Sequence, residues 1–204
     1  MHSGGPEWVR RWIGDENMHV FDEVHSVSLR ELVITDADLS NLAPLPSVQR
    51  LDLAWNLNTE SPITDVGAAK LAALTQITDL SLCGTQIGDR GLAALCRLNH
   101  LQVLRLDHTP ITDAGLEHVG TLTSLKQLYL NSTRVGDAGL AHVSRCSELD
   151  SLWLADTQVT DAGLGHLKRL SHLRRVILDG TRVSETGAAE LARALPSAFV
   201  HKER

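Results

Sequence analysis

The sequence lacks any run of about 18 apolar residues, so no segment of it is a candidate transmembrane helix. Its first six residues, Met1 to Pro6, lack the apolar centre of a signal peptide. For the chain as given, these two absences predict a cytoplasmic protein that has no membrane partner.

Cysteine is scarce, and cationic residues are not in excess. Cys83, Cys96 and Cys146 form no CxxC or Cys/His ligand spacing, so we expect isolated reduced thiols and not a zinc site. The formal net charge is -6 and no Lys/Arg stripe is evident, which argues against nucleic acid as a partner.

Catalytic motifs are absent as well. The sequence contains no G-x-S-x-G elbow, H-E-x-x-H pair or phosphate-binding loop. Three histidines, His118, His142 and His166, recur at one repeat position and offer imidazoles of the kind that bind zinc, but no carboxylate column orients them. We therefore predict no catalytic residues, no metal and no cofactor, in a protein that is not an enzyme.

What the sequence does contain is one unit repeated at a step of 24 residues, as from Leu101 to Leu125 and on to Leu149. The unit reads L-x-x-L-x-L-x-x-T-x-[IV]-x-D-x-G-L. A leucine-based period in the twenties is typical of a stacked solenoid, in which each repeat buries its apolar side against its neighbours.

The frame extends upstream to Val24 if an insertion near residues 55–60 is allowed, and it ends in a strand fragment around Val200. We therefore predict seven full repeats and a terminal strand over residues 24–204, preceded by an N-terminal cap over residues 1–23. A short helix in the cap carries Trp8 and Trp12 on one face, where with Phe21 they would cover the first repeat.

Each repeat is predicted to contain a short strand, a turn and a short helix. Leu104 and Leu106 alternate with variable positions and should point inward. Thr109 lies in a turn where its hydroxyl can satisfy buried backbone groups, and Thr112 or Asp113 can cap the helix. Glycine recurs in most of the other repeats at the position of Gly115, which indicates that the backbones of neighbouring repeats approach closely there. The predicted fold is α/β, with parallel strands on the concave face and helices on the convex face.

Two units, at residues 109–116 and 157–164, read T-P-I-T-D-A-G-L and T-Q-V-T-D-A-G-L. They resemble the T-x-[IV]-T-D-x-G-L repeats of bacterial leucine-rich repeat proteins and are similar to the cysteine-containing subclass of eukaryotic F-box proteins. The resemblance covers Val24 to Val200 and implies a right-handed horseshoe that binds other macromolecules. Leu32, Asp38 and Ser61 depart from the pattern in the first two repeats.

The repeats differ most at the strand positions that face outward, where aromatic, apolar and arginine side chains collect in the C-terminal half. These candidate partner-binding residues are Val103, Arg105, Tyr129, Trp153, Arg175, Ile177 and Phe199. Trp, Tyr and Arg dominate interface hot spots, and aromatics make up only 3% of this chain. The alternative is that sheets favour such residues wherever they fall.

These observations predict a non-enzymatic interaction module that binds a protein or peptide partner through its concave face, as a monomer. Two alternatives stay open. One is a structural solenoid that self-associates weakly through the C-terminal edge around Phe199 and Val200. The other is a substrate-recognition domain of a larger enzyme or effector.

Overall fold

The computed structural model describes residues 25–30, 34–42, 45, 47–55 and 61–203. The predicted cap with Trp8, Trp12 and Phe21 lies outside these described residues, as do Leu32 and positions 56–60 of the predicted insertion.

One parallel sheet runs through the described part of the chain, and its eight strands follow one another in chain order. Each strand has three residues, because each repeat contributes a single short extended segment. The strands are β1 (Ser26–Ser28), β2 (Arg50–Asp52), β3 (Asp79–Ser81), β4 (Val103–Arg105), β5 (Gln127–Tyr129), β6 (Ser151–Trp153), β7 (Arg175–Ile177) and β8 (Phe199–His201). The predicted parallel solenoid is confirmed.

Short helices connect most of the strands. They are α1 (Asp65–Leu71), α2 (Asp89–Leu95), α3 (Asp113–Val119), α4 (Asp137–Val143), α5 (Asp161–Leu167) and α6 (Glu185–Ala194). The first repeat has a 3-10 helix, Asp38–Leu42, instead. Asp38 occupies the glycine slot there, and its carboxylate accepts hydrogen bonds from the backbone N–H and the hydroxyl of Thr35, three residues earlier, as in a capping box.

The core lies between the sheet and the helices and is built almost entirely from aliphatic side chains. Leu104 and Leu106 are fully buried, as predicted, and Leu116 of α3 packs on the same core. One apolar cluster extends from Leu29 to Leu195. Each repeat therefore buries its apolar side only by stacking on the next, as a solenoid requires.

The threonine that follows each strand from β3 to β7 has the structural role that the sequence predicts. Thr109 is buried, and its Oγ1 donates a hydrogen bond to the Leu106 carbonyl at 2.6 Å. The same bond recurs at Thr85, Thr133, Thr157 and Thr181. It provides the carbonyl in each turn with a side-chain donor, and at Leu82 and Leu178 the threonine N–H donates to the same carbonyl.

The residue before each of these threonines adopts the left-handed backbone conformation. His108, Ser132 and Asp156 have φ angles of 57°, 55° and 57°, and glycine occupies the equivalent positions 84 and 180. This conformation is unfavourable for residues with a Cβ, so the surrounding hydrogen bonds must hold it. At Gly180 an added Cβ would also lie only 2.2 Å from Asp156 Oδ1, so the turn requires glycine there for two reasons.

Neighbouring repeats are joined by the aspartate at the start of each helix from α1 to α5. Asp89 accepts hydrogen bonds from the Thr112 backbone N–H at 2.9 Å and from its hydroxyl at 2.6 Å. Thr112 in turn caps α3 by accepting from Ala114. Of the two predicted capping residues, therefore, threonine is the cap and Asp113 bonds to the next repeat, at Gly136 N.

The recurrent glycine makes this contact possible. A Cβ added to Gly115 would lie 2.4 Å from Asp89 Oδ1, far closer than a carbon and an oxygen can approach. The predicted close approach of stacked coils is confirmed, and the aspartate carboxylate is what the glycine approaches.

Candidate functional site

The outward side chains of the strands form two parallel columns, because every strand pairs in register with the next. The central column contains Ser28, Asp52, Ser81, Arg105, Tyr129, Trp153, Ile177 and His201. The first column contains Ser26, Arg50, Asp79, Val103, Gln127, Ser151, Arg175 and Phe199. All seven candidate residues thus lie on this outer face of the sheet.

Two aromatic rings meet at the centre of the face. Tyr129 on β5 and Trp153 on β6 stack with their ring centroids 3.8 Å apart and their planes 8° from parallel. Both side chains are half-buried because each covers one face of the other. The partial burial of Tyr129 raises the pKa of its hydroxyl, although the nearby Arg105 charge opposes that shift. We call this pair the aromatic stack.

Arginines lie over both ends of the aromatic stack. The Arg105 guanidinium carbon is 5.2 Å from the Tyr129 ring centroid, and that of Arg175 is 6.0 Å from the Trp153 ring centroid. Both distances fall within the range of cation–π attraction. Arg105 also forms an ion pair with Asp79, whereas Arg175 is exposed. The rings therefore present their edges to solvent, with a neutralised arginine at one end and an unneutralised one at the other.

Apolar surface continues toward the C-terminal strand. Ile177 follows Trp153 in the central column, and Phe199 of β8 is 60% exposed. The Phe199 ring stacks on His201 at a centroid distance of 5.7 Å. Within the described residues, no strand pairs with the far side of β8, so this end of the sheet is open.

A third set of outward residues directly follows the strands, and its side chains accept hydrogen bonds from backbone N–H groups of the next repeat. The Asp107 carboxylate accepts from Asn131 N at 2.9 Å, and the Asn131 side-chain oxygen accepts from Ala155 N at 2.9 Å. These side chains replace backbone partners between repeats, so we assign them a structural role.

The N-terminal half of the outer face is polar and concave, with a cavity of about 420 Å³ between β1 and β4. Its lining includes Ser28, Arg50, Asp52 and Cys83. Burial, with a contribution from the Asp107 charge, raises the pKa of the Cys83 thiol to about 11. Such a thiol stays protonated at neutral pH and is a poor nucleophile.

The histidines of the convex side are partly buried on neighbouring helices. Nδ1 of His142 is buried without a hydrogen-bond partner. Among the residues that the structure describes, no group of three or more His, Cys, Asp or Glu side chains could hold a metal ion. No helix in the described ranges is long and apolar enough to cross a membrane.

One surface feature was missed by the sequence analysis. The turns that lead from helices to strands carry exposed cationic side chains in the C-terminal repeats: Lys126, Arg145, Lys168, Arg169 and Arg174. We call this set the cationic edge. The negative net charge of the whole chain gives no indication of the cationic edge. The sequence does indicate it locally, because the segment 168–175 contains four cations and no carboxylate.

The family model described as "Leucine Rich repeat" matches three consecutive segments, residues 74–96, 97–119 and 121–143. No curated protein sequence matches the chain significantly. Together with the parallel sheet and the alternating helices, the match identifies the fold as an α/β leucine-rich repeat solenoid.

Two solved structures of Listeria monocytogenes proteins share this fold. An internalin, inlF, superposes with a TM-score of 0.71 at 24% identity, over 87% of this chain and 47% of that one. An internalin C2, inlC2, superposes with a TM-score of 0.68 at 23% identity, over 91% of this chain and 83% of that one. The chain thus spans about half the length of the first neighbour. At these identities the likeness is one of fold.

Proposed function

We propose that this chain is a non-enzymatic, monomeric interaction module that binds a polypeptide through the C-terminal half of its outer sheet face. The observation that carries the proposal is the aromatic stack. Tyr129 is the single tyrosine of the chain, and it lies flat against one of four tryptophans on an outward column. Core packing does not account for them, because Leu128 and Leu152 fill the inward positions of the same strands.

The stack is suited to binding because it is already ordered. Each ring and its flanking arginine hold one another in place, so little side-chain freedom remains to be lost when a partner binds. Large aromatic and arginine side chains are also the residue types whose truncation costs most at protein interfaces. Ile177 and Phe199 extend the apolar surface on the side of β7 and β8.

We further propose that the repeats are of the T-x-[IV]-T-D-x-G-L type that the sequence resembles, with residues 1–23 as an N-terminal cap. The aspartate and glycine of this motif support the first proposal, since the carboxylate of one repeat packs on the glycine of the next. Among the described residues no strand pairs with the outer side of β1, which supports the cap proposal because terminal repeats need a cover.

A second candidate function is self-association through the open strand β8. Phe199 is exposed at this edge, and an unpaired strand edge is a template for pairing with another chain. The solution mass of the protein separates the two candidates: a monomer at micromolar concentration favours the interaction module, and a dimer that Phe199→Asp dissociates favours self-association.

Affinity capture from the native host tests the main proposal. The wild-type chain, Trp153→Ala and Ser28→Ala are immobilised in parallel, and the captured polypeptides are compared. We expect Ser28→Ala to retain a polypeptide that Trp153→Ala loses, since only the latter removes part of the aromatic stack. A polypeptide captured equally by all three does not use this face, and the proposal would then be wrong.

A further inference from the structure

The charge of the molecule is divided between the two edges of the sheet. The cationic edge lies where helices lead into strands. At the opposite edge, where strands lead into helices, each of the six α-helices in the described residues begins with a carboxylate: Asp65, Asp89, Asp113, Asp137, Asp161 and Glu185. The chain has a formal net charge of -6, so the cationic edge is a local exception on an acidic protein.

The cations of this edge are not neutralised by their surroundings. No carboxylate of the described residues lies within ion-pair distance of Lys168, Arg169 or Arg174. Two carboxylates share the edge: Glu148 is exposed, and Asp150 is half-buried, with its N–H donating to the Lys126 carbonyl and its carbonyl accepting from the Arg174 N–H. Five cations against two carboxylates leave the edge positive. Unpaired exposed charge of one sign attracts ligands of the other sign.

The cationic edge is continuous with the aromatic stack. Arg174 directly precedes Arg175, whose guanidinium lies over the Trp153 ring. At the other end of the stack Arg105 is paired with Asp79, so its charge is already compensated. Positive charge is therefore available at one end of the stack only, the end nearer the C-terminal repeats.

From this asymmetry we infer that the partner is an acidic polypeptide segment. Its carboxylates lie on the cationic edge, and an adjacent apolar side chain contacts the edges of the Tyr129 and Trp153 rings. The inference rests on the proposed function, because it names the chemistry of the polypeptide that the outer sheet face binds. Guanidinium groups suit such a ligand, since each offers several N–H donors to a carboxylate.

A single-stranded nucleic acid fits this surface less well. Proteins that bind it without sequence preference stack bases on exposed ring faces. Here the stack covers the facing sides of both rings, and the flanking arginines lie over the remaining sides. The acidic edge on the other side of the sheet would also repel a long phosphate backbone.

The test uses two fluorescein-labelled peptides, Gly-Glu-Glu-Phe-Glu-Glu-Gly and its uncharged counterpart Gly-Gln-Gln-Phe-Gln-Gln-Gly. Binding to the full chain is followed by fluorescence anisotropy at low salt and at about 0.3 M salt. We expect the acidic peptide to bind at least about tenfold more tightly than the uncharged one at low salt, and the difference to shrink at high salt.

The double variant Arg169→Glu/Arg174→Glu reverses two charges of the cationic edge and leaves the residues of the aromatic stack unchanged. It should weaken binding of the acidic peptide about tenfold. Arg134→Glu/Arg182→Glu is the matched control, because both residues are exposed at the acidic edge and the change in net charge is the same. This control should change the affinity less than about twofold.

Three results would overturn the inference: equal affinity for both peptides, equal weakening by both double variants, or tighter binding of a single-stranded oligonucleotide at the cationic edge. Failure of the proposed function is distinguishable. If both peptides bind equally and Trp153→Ala weakens both, the aromatic face binds polypeptides and only the acidic preference is wrong. If Trp153→Ala changes neither affinity, the proposed face is itself wrong.

Discussion

The rings of Tyr129 and Trp153 lie 3.8 Å apart and almost parallel, although the two residues belong to neighbouring repeats 24 positions apart. The aromatic stack is therefore both part of the outer sheet face and a packing contact between two neighbouring repeats. It therefore contributes to the stacking of β5 on β6, and its energy can be measured without any partner.

A double-mutant cycle on the pair should reveal this contact. We expect Tyr129→Ala and Trp153→Ala to show a coupling free energy of about 0.5–1.5 kcal/mol, the range for aromatic pairs in proteins. Urea denaturation of the wild type, the two single variants and the double variant provides the four unfolding free energies. Strictly additive effects would show that the rings do not interact in solution.

Two glycines of helix α5 differ in the space around them and provide a matched pair. A Cβ at Gly163 would lie 2.4 Å from Asp137 Oδ1, whereas a Cβ at Gly165 would meet nothing within 4 Å. We expect Gly163→Ala to destabilise the protein by about 1–3 kcal/mol, through overpacking. Gly165→Ala should stabilise it by up to about 1 kcal/mol, through helix propensity. Thermal denaturation that ranks the two variants in the opposite order would contradict the stacking described here.

Acidification should weaken the link between the last two helices. Hydrogen bonds from the Ser184 hydroxyl and backbone N–H hold the pKa of Asp161 below its ordinary value of 3.8. Because the folded-state pKa is the lower one, the ionised carboxylate stabilises the protein above about pH 4, and this contribution is lost as the pH falls through the folded-state pKa.

The variant Asp161→Asn should therefore flatten the dependence of the melting temperature on pH below about pH 4. Glu190→Gln, at an exposed position of α6, is the control and should leave the curve of the wild type unchanged in shape. An identical curve for Asp161→Asn and the wild type would contradict the assigned hydrogen bonds.

Two of the three thiols should resist alkylation in the folded protein. Burial raises the pKa of Cys146 to about 12, and burial with the Asp107 charge raises that of Cys83 to about 11. Since the thiolate is the reactive form, iodoacetamide at about pH 7.5 should modify both slowly until the protein is unfolded. Mass spectrometry after timed labelling measures the rates. Labelling of Cys146 at the same rate with and without denaturant would refute its burial.

The columns of the outer face could be predicted from the sequence because the repeats have a constant length. A constant offset between parallel strands places equivalent residues side by side, so Tyr129, Trp153 and Ile177 align as the repeat frame indicates. Even the longer second repeat keeps this alignment, with Arg50 beside Asp79, because its additional residues lie between the strands.

Other features could not be predicted because they depend on contacts that the repeat frame does not specify. The face-to-face geometry of the stack is set by side-chain torsions. The role of Asp113 as a link to Gly136 is set by an approach between residues 23 positions apart. The cationic edge lies in turns, where the sequence shows the local group of cations at residues 168–175 but does not show whether their side chains are exposed or paired.

The central claim is that the outer sheet face binds a polypeptide through the aromatic stack, and dissociation constants for the captured partner test it most directly. Tyr129→Ala and Trp153→Ala should each weaken binding by about 2 kcal/mol or more, close to thirtyfold, whereas Ser28→Ala and Ser81→Ala should change it less than about twofold. Circular dichroism must show each variant folded. Equal dissociation constants for the wild type and both aromatic variants would contradict the account.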